Sequence, residues 1–306
     1  MKTPAPNNRT LTLLPEEREA LRADLLQSGE AGTSDWLDKT FLGDMKSIIG
    51  RLPEGFANLI FLDPPYNLSK QFGETSFRAV SAEQYAEYLA SWLPEVVRLL
   101  APDGSLYLCG DWQSAAVLQG ELSKHLTVIN RITWQREKGR GSARNWKNCQ
   151  EDIWFAVRNP KRYTFNAEAV KLRRRVRAPY RQGGAPKDWI EKEDGRRVRH
   201  TYASNFWDDL TVPFWSMPEN TEHPTQKPEK LLARIILASS REGDVVFDPF
   251  LGSGTTSVVA KKLGRHYVGI EQDETFALLA AKRLRAAGVG GRIQGYEDGV
   301  FLERNA

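Results

Sequence analysis

The sequence predicts an α/β fold, a doubly wound and mostly parallel sheet flanked by helices. Three observations carry that expectation. Apolar runs of strand length recur along the chain, among them ANLIFL, SLYLCG and DVVFD, and their unbroken character suits strands buried on both faces. Stretches with apolar residues at helical spacing separate them, so strand and helix alternate at both ends of the chain. Two of the runs end in proline- or glycine-bearing turns, the places where open α/β sheets hold ligands.

In chain order, residues 14–28 (LPEEREALRADLLQS) set Leu14, Leu21, Leu25 and Leu26 on one helical face before Gly29, predicting an amphipathic helix within an N-terminal extension, 1–35. The first part of the core is expected over 36–160. It holds a short strand in TFLGDM, a helix through SIIGRL, the strand ANLIFL ending at Asp63, and helical pattern from Ser81 to Leu100. Pro102-Asp103-Gly104 then turns the chain into SLYLCG, and VINRITW and DIWFAV read as two further strands around a polar loop, REKGRGSARNWKNCQ. Regular pattern fades over 161–222. It resumes at HPTQKPEKLLARIILASS with a helix, followed over 223–306 by the strand DVVFDPF, a glycine turn and helix in LGSGTTSVVAKKLG, and the strand RHYVGIEQD. One sheet carrying an insert is expected, not two folded domains.

Composition narrows the classes. The opening MKTPAPNNRT has no secretory pattern, and no run approaches 18 apolar residues, so a cytoplasmic chain without a membrane partner is expected. Cys109 and Cys149 lie outside any CxxC spacing and the four histidines are scattered, which predicts reduced thiols and no metal site. The formal charge is only +4, but Lys161 to His200 holds 13 Lys or Arg against 5 Asp or Glu. Such a concentration suits a polyanion, and Arg173, Arg174, Arg175 and Arg177, with Arg140 and Arg144 in the preceding loop, are candidates for contacts to DNA phosphates. A solvated insert accounts for the same charge run. The tryptophans between 189 and 215 fit either a core role or stacking on bases.

Two constellations carry chemistry. Asp248-Pro249-Phe250-Leu251-Gly252-Ser253-Gly254-Thr255 links a strand to a helix, and seventeen residues beyond Gly254 the next strand ends in Glu271. Glycines permit close ligand approach, and an acidic residue at that place suits hydrogen bonds from ribose hydroxyls. The full G-x-G-x-x-G spacing of a dinucleotide site is missing. The second, Asp63-Pro64-Pro65-Tyr66-Asn67, has two prolines that fix the backbone and hold Asp63 out of helical geometry. It aims a carboxylate, a proline carbonyl and an aromatic ring at one volume. That set accepts hydrogen bonds from an aromatic amino group and stacks on a base rotated out of a duplex.

Together the segments resemble the DNA amino-methyltransferases that modify adenine N6 or cytosine N4. The order, catalytic segment first, basic insert next and cofactor turn last, resembles their beta group, and His223-Pro224-Thr225-Gln226-Lys227-Pro228 matches that group's helix start letter for letter. The resemblance implies a seven-stranded sheet and S-adenosylmethionine as cofactor. It implies Asp63, Pro64, Pro65 and Tyr66 as catalytic residues, and Thr225, Gln226, Lys227, Asp248, Pro249, Phe250, Gly252, Ser253, Gly254, Thr255 and Glu271 around the cofactor. Asp44, after Gly43, matches the position that contacts the cofactor's adenine. Double-stranded DNA is the implied partner, with a cognate restriction endonuclease and a homodimer as further ones. Asp63 at the head of its segment favours N6-adenine, with N4-cytosine the alternative. A non-catalytic DNA-binding protein and an RNA or protein amino-methyltransferase are the more distant readings.

Overall fold

The computed structural model describes residues 6–32, 35–68, 70–72, 75–136, 143–176, 180–193 and 195–303, with backbone alone from 70 to 77. Its main sheet has nine strands among the described residues: β1 (Leu25–Gln27), β2 (Lys39–Leu42), β3 (Ala57–Leu62), β4 (Leu100–Gly110), β5 (Thr127–Gln135), β6 (Gln150–Val157), β7 (Phe206–Trp207), β8 (Val245–Asp248) and β9 (His266–Glu271). They stand in the order β1-β2-β9-β8-β3-β4-β6-β5-β7. Only β6 runs against its neighbours; every other pair is parallel. The seven strands read from the sequence are the central seven, and β1 and β7 are short additions at the two edges.

Helices cover both faces: α1 (Arg18–Arg22), α2 (Met45–Ile49), α3 (Ala82–Ala90), α4 (Leu93–Arg98), α5 (Ala115–Ser123), α6 (Glu229–Ser239), α7 (Thr255–Lys262) and α8 (Glu274–Ala286). Strand β3 shows why its sequence is continuously apolar. Leu59 and Phe61 enter the core shared with α6 and α7, while Ile60 and Leu62 enter the opposite core, with α2 to α5. The helical stretch after Ser81 splits in two because Pro94 cannot continue a helix but is tolerated in the first turn of α4. No helix among the described residues is long and apolar enough to cross a membrane.

The structure corrects the predicted helix over 14–28. Pro15–Glu17 is a 3-10 turn, α1 ends at Arg22, and Leu25–Gln27 becomes β1, pairing in parallel with β2. Leu21 and Leu25 bury against Ala277, Leu278 and Ala281 of α8, and β2 offers an edge whose backbone groups need partners. Leu14 is left half exposed.

The basic stretch is also more ordered than its pattern suggests. Ile190–Glu191, Arg197–Thr201 and Leu172–Arg175 join Val300–Leu302 and Tyr296–Glu297 in a separate five-stranded sheet. A buried ionic cluster fastens it to the core. Arg234 of α6 grips Asp209 with two bonds of 3.0 and 2.7 Å, between the rings of Trp207 and Phe301. Lys230, one turn earlier, reaches Asp209 at 2.8 Å and the Leu302 carbonyl at 2.6 Å. Burial raises the pKa of Asp209, but the bonds and charges of Arg234 and Lys230 outweigh it and hold the carboxyl below its ordinary range.

Removing one member of such a cluster strands buried charge. Asp209→Leu is therefore expected to cost about 3–5 kcal/mol of stability in urea unfolding. A loss below about 1 kcal/mol, the scale of an exposed pair, would refute the role assigned to the cluster.

Candidate active site

A cleft of about 390 Å3 opens where β2, β9, β8 and β3 end. These four strands are adjacent and parallel, so their carboxyl ends bring Asp44, Glu271, Pro249 and Asp63 from distant parts of the chain to one rim. Asp63, Pro64, Pro65, Tyr66, Thr225, Lys227, Phe250 and Gly252 also line it.

The segment after β3 is held from two sides. The Tyr85 hydroxyl donates to the Pro65 carbonyl at 3.1 Å, and the Asn67 amide exchanges two 2.8 Å bonds with the backbone of Val80. Both oxygens of Asp63 are occupied: Oδ1 accepts from the Tyr66 hydroxyl at 2.8 Å and Oδ2 from Lys227 Nζ at 2.5 Å. Glu151 Oε2 stands 3.2 Å from the Tyr66 hydroxyl and 3.4 Å from Lys227 Nζ, and its other oxygen pairs with Arg136. Burial, reinforced by the Asp63 charge, pushes the Tyr66 phenol well above its usual pKa, so it stays a neutral donor.

At the other end of the cleft Glu271 accepts from Gly252 N–H at 2.7 Å and Asp273 N–H at 2.8 Å. Desolvation raises its pKa and these backbone bonds oppose the rise. Two glycines of the turn are required by packing. Gly252 has φ +55°, and a Cβ there would lie 3.0 Å from His223 Nε2; Gly254 has φ +85°, and its Cβ would lie 2.6 Å from Ala280 Cβ. The His223 ring meets Phe276 edge-on at 4.4 Å, and desolvation lowers its pKa to about 4, leaving it uncharged at neutral pH.

Five residues expected around the cofactor stand behind the cleft wall. Asp248 is buried, accepts from Thr256 Oγ1 at 2.6 Å and Phe250 N–H at 2.9 Å, and burial raises its pKa to about 7. The Ser253 carbonyl and Thr255 Oγ1 each accept from Arg283 at 2.9 Å, and Gly254 packs on α8. Gln226 ties Thr221 to the Glu219 carbonyl. They shape the turns that carry the lining residues. Asp44 lies on the rim and caps α2 through Ser47 N–H at 3.3 Å. Lys227, expected around the cofactor, has its ammonium on Asp63.

Sequence reasoning missed Arg136, Glu151, Tyr88, Asp273 and Phe276, which also line the cleft. Asp273, two residues past Glu271, was within reach of the motif. Arg136 and Glu151 carry no local signal, since they meet only because β5 and β6 pair.

Of the arginines proposed for DNA, Arg140 and Arg177 lie outside the described residues. Arg144 is exposed in the loop between β5 and β6. Arg173 pairs with Asp298 at 3.5 Å and Arg174 with Glu303 at 4.0 Å, while Arg175 is exposed. Trp189 is buried beside the guanidinium groups of Arg181 and Arg197, Trp207 belongs to the core, and Trp215 is half exposed.

A family model described as DNA methylase, for N6 and N4 methyltransferases, matches residues 57–282. The chain is 34% identical over 235 residues to the type II methyltransferase M.HpaI of Haemophilus parainfluenzae, covering 76% of this chain and 69% of that protein. It is 33% identical over 249 residues to the DNA adenine methyltransferase YhdJ of Escherichia coli (strain K12), covering 80% and 82%. Among solved structures, the M1.HpyAVI–SAM complex aligns with a TM-score of 0.55 at 22% identity, over 80% of this chain and 98% of that one. The cytosine-N4-specific PvuII DNA methyltransferase aligns at 0.55 and 16%, over 80% and 85%. With a family match spanning most of its length and relatives above 30% identity, the chain belongs to the N6/N4 DNA methylase family.

Proposed function

We propose that this protein transfers the methyl group of S-adenosylmethionine to the N6 amino nitrogen of adenine in double-stranded DNA. The observation that carries the reading is a single cleft with Asp63, Pro64 and Tyr66 at one end and Glu271 with its glycine turn at the other. The residues present suit the cofactor. Carboxylates of Asp44, Glu271 and Asp273 favour a cation bearing ribose hydroxyls, and Tyr88, Phe250, Ile270 and Phe276 offer apolar surface to its adenine ring. When bound, S-adenosylmethionine supplies an electrophilic methyl on a positive sulfur.

The chain's own task is to make an amino nitrogen nucleophilic and aim it. That nitrogen's lone pair is delocalised into the base; N–H bonds accepted by Asp63 and the Pro64 carbonyl favour a pyramidal nitrogen whose lone pair points away from the ring. Each Asp63 oxygen keeps a free lone pair beside the bond it already accepts. Tyr66, with its hydroxyl fixed, offers a ring of set orientation for a base that has left the duplex. Arg144 of the loop between β5 and β6 and Arg173, Arg174 and Arg175 of the small sheet, with Arg140 and Arg177, are the proposed DNA contacts. On the same reading, a cognate endonuclease and a second copy of the chain are further partners.

Asp63→Ala should lower methyl transfer by at least about 10²-fold while calorimetry finds cofactor affinity nearly unchanged. Ordinary turnover in that variant would remove Asp63 from the chemistry. Digestion of methylated DNA to nucleosides should yield N6-methyladenine by mass; N4-methylcytosine in its place would change the base and keep the site. Replacing Arg174 and Arg175 with Gln should flatten the dependence of log affinity on log salt by up to about 2 units. An unaltered slope would show that these two side chains meet solvent and not phosphate.

A further inference from the structure

We infer that Glu151 is a positioning residue for methyl transfer: acting through Lys227 and the Tyr66 hydroxyl, it fixes the orientation of the Asp63 carboxylate. The inference rests on the function proposed above. Asp63 lies just past the end of β3, where backbone pairing no longer constrains its side chain, so its aim depends on what holds its two oxygens. Those holders are Lys227 and Tyr66, and Glu151 lies within 3.4 Å of the polar atom of each.

Charge accounting makes Glu151 necessary. The side chains of Lys227 and Glu151 are 7% and 5% exposed, so neither charge is solvated enough to stand alone. Arg136 is the second cation of the group, on the far oxygen of Glu151. Two cations thus face two carboxylates around one phenol. Neutralise Glu151, and Lys227 and Arg136 share the single negative charge of Asp63, drawing it from its place between Tyr66 and Lys227.

Topology explains how Glu151 reaches the site. The parallel strands deliver their ends to this edge of the sheet, whereas β6, running the other way, delivers its beginning. Glu151 is its second residue, paired with Trp134 next to the end of β5, from which Arg136 follows.

The test compares the wild-type protein with Glu151→Gln, Glu151→Asp and Lys227→Met, measuring kcat on DNA, cofactor affinity by calorimetry, and thermal unfolding. Glu151→Gln should lower kcat about 100-fold, as a misplacement near 1 Å does, and leave cofactor affinity within about twofold. Glu151→Asp, which keeps the charge, should recover part of the rate and preserves the test should the glutamine variant not fold. Lys227→Met combined with Glu151→Gln should lose little more than either alone, because the two act as a unit. Wild-type kcat in Glu151→Gln overturns the inference, and so does a parallel loss of cofactor affinity, which would move Glu151 to cofactor binding. Absence of methyl transfer by the wild-type protein would overturn the proposed function itself, before any variant is compared.

Discussion

Parallel pairing of β2, β9, β8 and β3 is the constraint on which the site depends. Residues 44, 63, 249 and 271 have no local reason to meet, and an antiparallel arrangement of any one strand would carry its terminal residue to the opposite edge. Parallel strands require crossovers, and the crossovers are the helices that bury both faces of the sheet. The same geometry that gives this protein two cores also gives it one crevice.

The polar contents of that crevice divide into two kinds. At the Glu271 end, charge is met by backbone N–H groups, which cannot move without moving the turn. At the Asp63 end, charge is met by other side chains in a closed group of five. The first arrangement suits a binding surface whose shape should not change. The second ties the Asp63 carboxylate to residues that follow β3 and β5, lie in β6 and precede α6, so several elements must be in place before it is held.

Much of this was legible in the sequence. Buried parallel strands announce themselves because both faces are apolar, as in ANLIFL and DVVFD, and turn chemistry marked Asp63 and Gly252 as rim residues. Short edge strands did not, since Leu25–Gln27 is too brief to show a period and sits inside a helical one. Leu172–Arg175 was hidden for a different reason: LRRR has no apolar alternation, because its order comes from pairing with Arg197–Thr201 and Val300–Leu302. Arg136 and Glu151 lay beyond sequence reasoning because only strand pairing brings them together.

The pairing of Val300–Leu302 with Leu172–Arg175 has a consequence for the order in which the protein is made. More than a hundred residues of chain separate the two strands, and those residues include α6, β8, α7, β9 and α8. During synthesis the basic strands leave the ribosome well before their partner exists, so contacts this distant form late. The small arginine-rich sheet is thus completed only after the strands and helices that wall the crevice have themselves been made.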